Sequence, residues 1–89
     1  MADESGNTKA SNPVRAVVEV VVRALVDKPD SVEVRESSRR GMMVLELKTA
    51  PSDMGKIIGR QGRTAAALRT LVAVTAEKHG VRAQLDIRD

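Results

Sequence analysis

The chain has no cysteine among its 89 residues. Disulfides, thiolate zinc sites, iron–sulfur clusters and cysteine nucleophiles are therefore excluded, and stability has to come from packing. Phe, Tyr and Trp are also missing. A nucleic acid bound here would find none of the aromatic platforms on which bases stack in RNP-motif sheets and many OB-folds, so contacts would have to come from backbone, cations and aliphatic surface. The single histidine, His79, leaves no second imidazole for a metal site or a His-based relay. No apolar run reaches the roughly 18–20 residues that cross a bilayer. The longest, Ala16-Val17-Val18 and Val20-Val21-Val22, are cut by Glu19 and Arg23. Asp3 and Glu4 occupy an N-terminus that lacks the basic-then-apolar order of a signal peptide, so a cytoplasmic protein with no membrane partner is expected.

What is present suits one small soluble domain. Hydrophobic residues make up 42% and charged residues 30% of 9.6 kDa, which leaves little room for a second core. Fifteen Lys and Arg against twelve Asp and Glu give a net charge of only +3. Such an excess matters only where it is concentrated.

Residues 1–11 are small and polar without apolar periodicity and read as a flexible tail, with the folded domain spanning 12–89. Asn12-Pro13 matches an N-cap followed by proline at the first helical position. Val14, Val17, Val18, Val21, Val22 and Leu25 then form one helical stripe, which Lys28-Pro29-Asp30 ends. Val32 and Val34 alternate with Glu33 and Arg35 as a strand, and Ser37 to Gly41 reads as a polar turn. In Met42 to Thr49, Met43, Leu45 and Leu47 share one face of a second strand, so a hairpin is expected.

Ala50-Pro51-Ser52-Asp53 offers Ser52 or Asp53 as the N-cap of a short helix, Met54 to Ile58. A longer helix begins around Thr64 with Leu68, Leu71, Val72 and Thr75 as its expected buried face and Gly80 as its stop. Val81, Ala83, Leu85 and Ile87 alternate as a final strand. The order helix, strand, strand, short helix, long helix, strand predicts a two-layer α+β domain, helices on one face of a three-stranded sheet.

The most informative segment joins the two later helices: Gly55-Lys56-Ile57-Ile58-Gly59-Arg60-Gln61-Gly62-Arg63. A Walker A loop would need glycine where Arg60 stands, and a dinucleotide fingerprint would need glycine at Ile57 and a strand leading in. Neither fits. The spacing is G-x-x-G, preceded by aliphatic residues and surrounded by Lys56, Arg60, Arg63 and Arg69, with no acid between Gly55 and Ala76. Two glycines let backbone approach a sugar–phosphate chain, and N–H groups of the turn and of the next helix's first turn suit anionic oxygens.

Ile58-Gly59-Arg60-Gln61-Gly62 resembles the I-G-x-x-G core of a KH domain, and the element order resembles the bacterial, type II form (α-β-β-α-α-β). The likeness covers about Val14 to Ile87. At this length the chain is similar to the small single-domain KH proteins of the KhpA family. The resemblance implies an RNA-binding protein that clamps a short single-stranded RNA segment; no nucleophile–base pair or metal-ligand cluster rises above chance in the sequence, so neither an enzyme nor a cofactor is expected. The resemblance also implies an RNA chaperone or post-transcriptional regulator, linked in some bacteria to cell shape, which forms a homodimer or pairs with a KhpB-like KH protein.

On the residues, Arg60 and Gln61 are assigned phosphate and sugar contacts, Gly59 and Gly62 the shape of the loop, and Lys56 and Arg63 supporting charge. Ile57 or Ile58 lines an apolar groove floor, Ile58 being the candidate next to the loop, and strand residues near Val44 to Leu47 are candidates for the opposite wall. Two other classes compete. A protein-interaction or dimerisation module with the same fold would not need the loop cations, and a DNA-binding helix-turn-helix is disfavoured by three strands and a very short first helix. Arg39-Arg40 and His79 read as solvated hairpin charge and helix C-terminal capping.

Overall fold

A computed structural model of the chain describes residues 12–88. The 1–11 tail lies outside the described residues. Helix α1 (Pro13–Leu25) is followed by a 3-10 turn (Pro29–Ser31), strands β1 (Glu33–Arg39) and β2 (Met42–Lys48) and a second 3-10 turn (Pro51–Asp53). Helix α2 (Met54–Ile58), a third 3-10 turn (Arg60–Gly62), helix α3 (Arg63–Lys78) and strand β3 (Ala83–Arg88) complete the order.

Asn12 caps α1, its Oδ1 accepting from the Arg15 N–H at 3.1 Å, with Pro13 at N1 as the sequence requires. The α1 line that reaches the core is Val14, Val18 and Val22, one step i+4 apart. Leu25, expected in that stripe, is exposed at the helix's last residue.

The sheet order is β1-β2-β3, β2 running antiparallel to β1 and parallel to β3. Leu45 stands beside Leu85, and Leu47 beside Val34 and Ile87. These residues point to the helical layer, where Val34, Leu45, Leu47 and Leu85 pack with Val14, Val18, Val22, Ile57, Leu68 and Val72. The other sheet face is mostly polar, carrying the Arg35–Glu33 and Arg88–Glu46 ion pairs, with Val44 of the central strand buried on it. This is the two-layer α+β arrangement of a type II KH fold.

Besides Leu25, four local features differ from expectation. The hairpin turn is two residues, Arg40 and Gly41, not the polar run from Ser37; Ser37 to Arg39 continue β1, paired with Val44, Met43 and Met42. Both turn residues have positive φ, 54° and 78°, the geometry whose twist matches the flanking strands. The exposed β1 edge shows no apolar alternation beyond Val34, which hid the strand's length.

In α3 the buried line is Ala65, Leu68, Val72 and Ala76, while Leu71 lies 40% exposed and Thr75 half-buried. Small alanines at both ends permit close approach of the helix, and this turns Leu71 toward solvent. Strand β3 begins at Ala83 rather than Val81, because Val81 serves the α3 cap. Its N–H donates to Ala76 O (3.0 Å) and that of Gly80, at φ 70°, to Glu77 O (3.1 Å), a Schellman closure. Asp53, finally, occupies the N-cap position of α2 without capping it. Its carboxylate is engaged elsewhere.

Candidate nucleic-acid interface

The turn between α2 and α3 is shaped by three residues of positive φ: Gly59 (78°), Gln61 (58°) and Gly62 (73°). Gly59 combines φ 78° with ψ 169°, a region open only to glycine. A Cβ there would stand 2.3 Å from Thr64 Oγ1 and 2.8 Å from its backbone nitrogen. Gly62 is left-handed but unobstructed, with nothing within 4 Å of a would-be Cβ. The two glycines therefore differ: Gly59 lets the turn pack against the start of α3, and Gly62 supplies only the backbone reversal. Gly59 N–H closes α2 on Gly55 O (2.9 Å), and Gly62 N–H returns to Gly59 O (3.1 Å).

Beyond the turn, α3 starts without a side-chain cap and with no acid in its first turn. Its first residue is Arg63. A cation at that end opposes the helix macrodipole, which favours negative charge there. Arg60, Arg63 and Arg69 enter no ion pair among the described residues, so their charge faces outward uncompensated. Among the described residues the one side-chain bond at the turn is a long one, Arg63 Nη2 to Gln61 Oε1 at 3.5 Å.

The remaining sequence candidates separate by environment. Ile57 is fully buried in the core, whereas Ile58 is 39% exposed beside Gly59, which settles which isoleucine has a surface to offer. Lys56 is not free: its Nζ lies 3.1 Å from Asp27 Oδ2 and 3.7 Å from Asp53 Oδ1. The wall expected near Val44 to Leu47 is not available. Strand β2 is central, with both edges hydrogen-bonded, and its Leu45 and Leu47 are closed in the core. Of the two edge strands, β1 and β3, it is β3 that borders α3. Between it and α3 runs an open cleft of about 450 Å³ lined by Arg69, Val72, Ala83, Gln84, Leu85, Asp86 and Met42.

Asp53 and Asp27 are the residues the sequence did not single out for this region. Asp53 is 1% exposed, and its oxygens accept from the N–H groups of Asp27 (3.1 Å) and Lys28 (3.0 Å), tying the chain after α1 to the start of α2. The Asp27 N–H bond, with help from the Lys28 N–H and the Lys56 ammonium, holds the Asp53 carboxyl below its ordinary 3.8 against the opposing effect of burial. Hydrogen bonding and attraction to Asp27, followed by Asp53, raise Lys56 above 10.5. The i, i+3 spacing of Asp53 and Lys56 was legible on a helix; the arrival of Asp27 from another element was not.

Residues 15–87 match the family model for the KhpA/KhpB KH domain. The chain belongs to the KhpA/KhpB KH-domain family. It is 49% identical over 71 residues to the "RNA-binding protein KhpA" of Caldanaerobacter subterraneus subsp. tengcongensis, covering 80% of this chain and 95% of that one. To the protein of the same name in Leifsonia xyli subsp. xyli it is 51% identical over 70 residues, covering 78% and 88%. With that of Halalkalibacterium halodurans the identity is 47% over 76 residues, covering 85% and 100%. Among solved structures, Aquifex aeolicus Era matches with a TM-score of 0.59 at 17% identity, over 83% of this chain and 29% of that chain, a likeness of fold alone. In KhpA/KhpB terms, the matched span contains the whole G-x-x-G turn, both flanking helices and the β3 edge.

Proposed function

We propose that this chain binds single-stranded RNA by its backbone at the turn Gly59 to Gly62, as KH loops clamp about four nucleotides. Arg60 and Gln61 contact phosphate and sugar, Gly59 and Gly62 hold the turn's shape, and Arg63 adds charge, with Lys56 next to the turn but paired to Asp27. Ile58 offers aliphatic surface to the bases in place of an aromatic. From the turn the strand continues into the α3–β3 cleft past Arg69. The observation that carries the reading is the uncapped start of α3 bearing Arg63, where both the helix field and the side chain favour an anion. The relatives' printed name, RNA-binding protein, supports it.

Without stacking, which contributes about 1–3 kcal/mol per base elsewhere, affinity is micromolar with weak base preference. Such binding suits a cytoplasmic RNA chaperone or post-transcriptional regulator. A partner that adds a second site, another copy of this chain or a KhpB-like KH protein, strengthens it by avidity. The exposed Leu71 and Val74, one turn apart on α3, support that part of the reading.

Fluorescence anisotropy of a labelled single-stranded RNA tests the site. Wild type binds, and Arg60→Asp with Gln61→Asp, folded by circular dichroism, does not. Equal binding by both chains would move the function to partner contacts, the interaction-module reading, and duplex DNA that competes fully would favour a helix-turn-helix.

A further inference from the structure

Lys56 sits one residue before the Ile57-Ile58-Gly59 step into the turn, within a single helical turn of Gly59. Its ammonium nevertheless faces two carboxylates, 3.1 Å from Asp27 and 3.7 Å from Asp53. The three groups together carry one net negative charge at the foot of the turn that presents Arg60 and Arg63. We propose that Asp27 holds Lys56 away from RNA phosphate and so sets the strength of binding at the turn, an affinity determinant lying outside the motif. The inference rests on the RNA-binding reading above and deepens it.

Two features separate this pair from an incidental surface contact. Exposed ion pairs usually contribute little because both side chains must be immobilised. Here the Asp27 backbone is already anchored, its N–H bound to buried Asp53, so a short side chain is delivered to Lys56 from a fixed point. The two acids also differ in kind. Asp53 is committed to two N–H groups and cannot turn away, whereas the Asp27 carboxylate is 75% exposed and makes its one side-chain contact among the described residues with Lys56. Asp27 is therefore the adjustable member. A phosphate approaching Lys56 has to displace it.

Asp27→Asn removes the charge while preserving the N–H that Asp53 needs, so the fold is retained; Asp27→Ser is a second variant with the same property. The assay is anisotropy of a labelled single-stranded RNA across a salt series, after circular dichroism and thermal melts confirm folding. Asp27→Asn tightens Kd about threefold at low salt, as expected for removing one unit charge at close range in a water-like dielectric. The log–log salt dependence steepens by about 0.7, one more phosphate contact. Asp30→Asn makes the same charge change without touching Lys56 and gives a smaller effect. In a Lys56→Gln background the gain from Asp27→Asn vanishes.

Equal tightening by Asp27→Asn and Asp30→Asn, or a gain that survives Lys56→Gln, overturns the inference while leaving the turn as the RNA site. Wild-type binding that persists in Arg60→Asp with Gln61→Asp overturns the site itself, and the inference with it. That variant alone distinguishes the two failures.

Discussion

Replacing either glycine of the turn with alanine adds one methyl group, yet the two replacements should differ widely in cost. At Gly59 the backbone (φ 78°, ψ 169°) lies where a side chain costs about 1–3 kcal/mol. The added carbon also meets Thr64 Oγ1, Cβ and N at 2.3, 2.7 and 2.8 Å, an overpacking of the kind that costs about 1–3 kcal/mol more. Together these give about 2–6 kcal/mol, a large part of the roughly 4–12 kcal/mol that stabilises a domain of this size. At Gly62 only the left-handed backbone counts, about 1–2 kcal/mol, since no atom lies within 4 Å.

With no tryptophan or tyrosine for fluorescence, far-UV circular dichroism is the probe of thermal and urea unfolding. At about 4–8 °C per kcal/mol, Gly62→Ala lowers Tm by about 4–16 °C, and Gly59→Ala lowers it further or leaves the chain unfolded at 37 °C. Adding Thr64→Ala to Gly59→Ala removes the hydroxyl but leaves the clashing Cβ and nitrogen, so it restores less than half the loss. Equal costs at the two glycines, or full rescue by Thr64→Ala, would refute the packing argument.

Three further outcomes follow from the same contacts. Ile57→Ala costs about 2–5 kcal/mol because it empties a fully buried site, while the half-exposed Ile58→Ala costs under about 1 kcal/mol and shows instead as weaker RNA binding; urea midpoints and anisotropy separate them. The Asp53 carboxyl titrates below its unfolded value, so its stabilisation is complete above pH 3.8 and is lost as pH falls through the lower folded value. Acid unfolding monitored by circular dichroism is accordingly shallower in Asp53→Asn than in wild type, and Asp53→Ala, which leaves two N–H groups without their acceptor, is the less stable of the two variants at neutral pH. Arg40→Asn raises stability by about 0.5–1 kcal/mol, because asparagine tolerates the positive φ of the hairpin turn better than arginine; an unchanged melt would contradict the turn geometry.

The fold was readable wherever one signal dominated. The α1 stripe, the alternation in β2 and β3, and the glycine stop after His79 each follow from a local period or cap that tertiary contacts then reinforce. Errors arose where exposure removed the period: β1 beyond Val34 is a polar edge, so Ser37 to Arg39 resembled a turn. Leu71 reads as core because a large aliphatic residue outweighs two alanines in the amphipathic pattern, although it is the alanines that bring α3 close. The motif and its glycines were legible from spacing. The different duties of Gly59 and Gly62, the division between Ile57 and Ile58, β3 as the edge strand that borders the cleft, and the Asp27–Lys56–Asp53 cluster all depend on elements that meet only in three dimensions.

The most direct test of the central claim is the salt dependence of RNA binding by the wild-type chain. If Arg60, Arg63 and Arg69 neutralise phosphates, log K falls with log salt at a slope of about −2, from about −0.7 per contact on single strands. The Arg60→Asp with Gln61→Asp chain then shows no measurable binding at any salt. A wild-type slope near zero, or an unchanged slope in that variant, would contradict the assignment of the G-x-x-G turn as the RNA site.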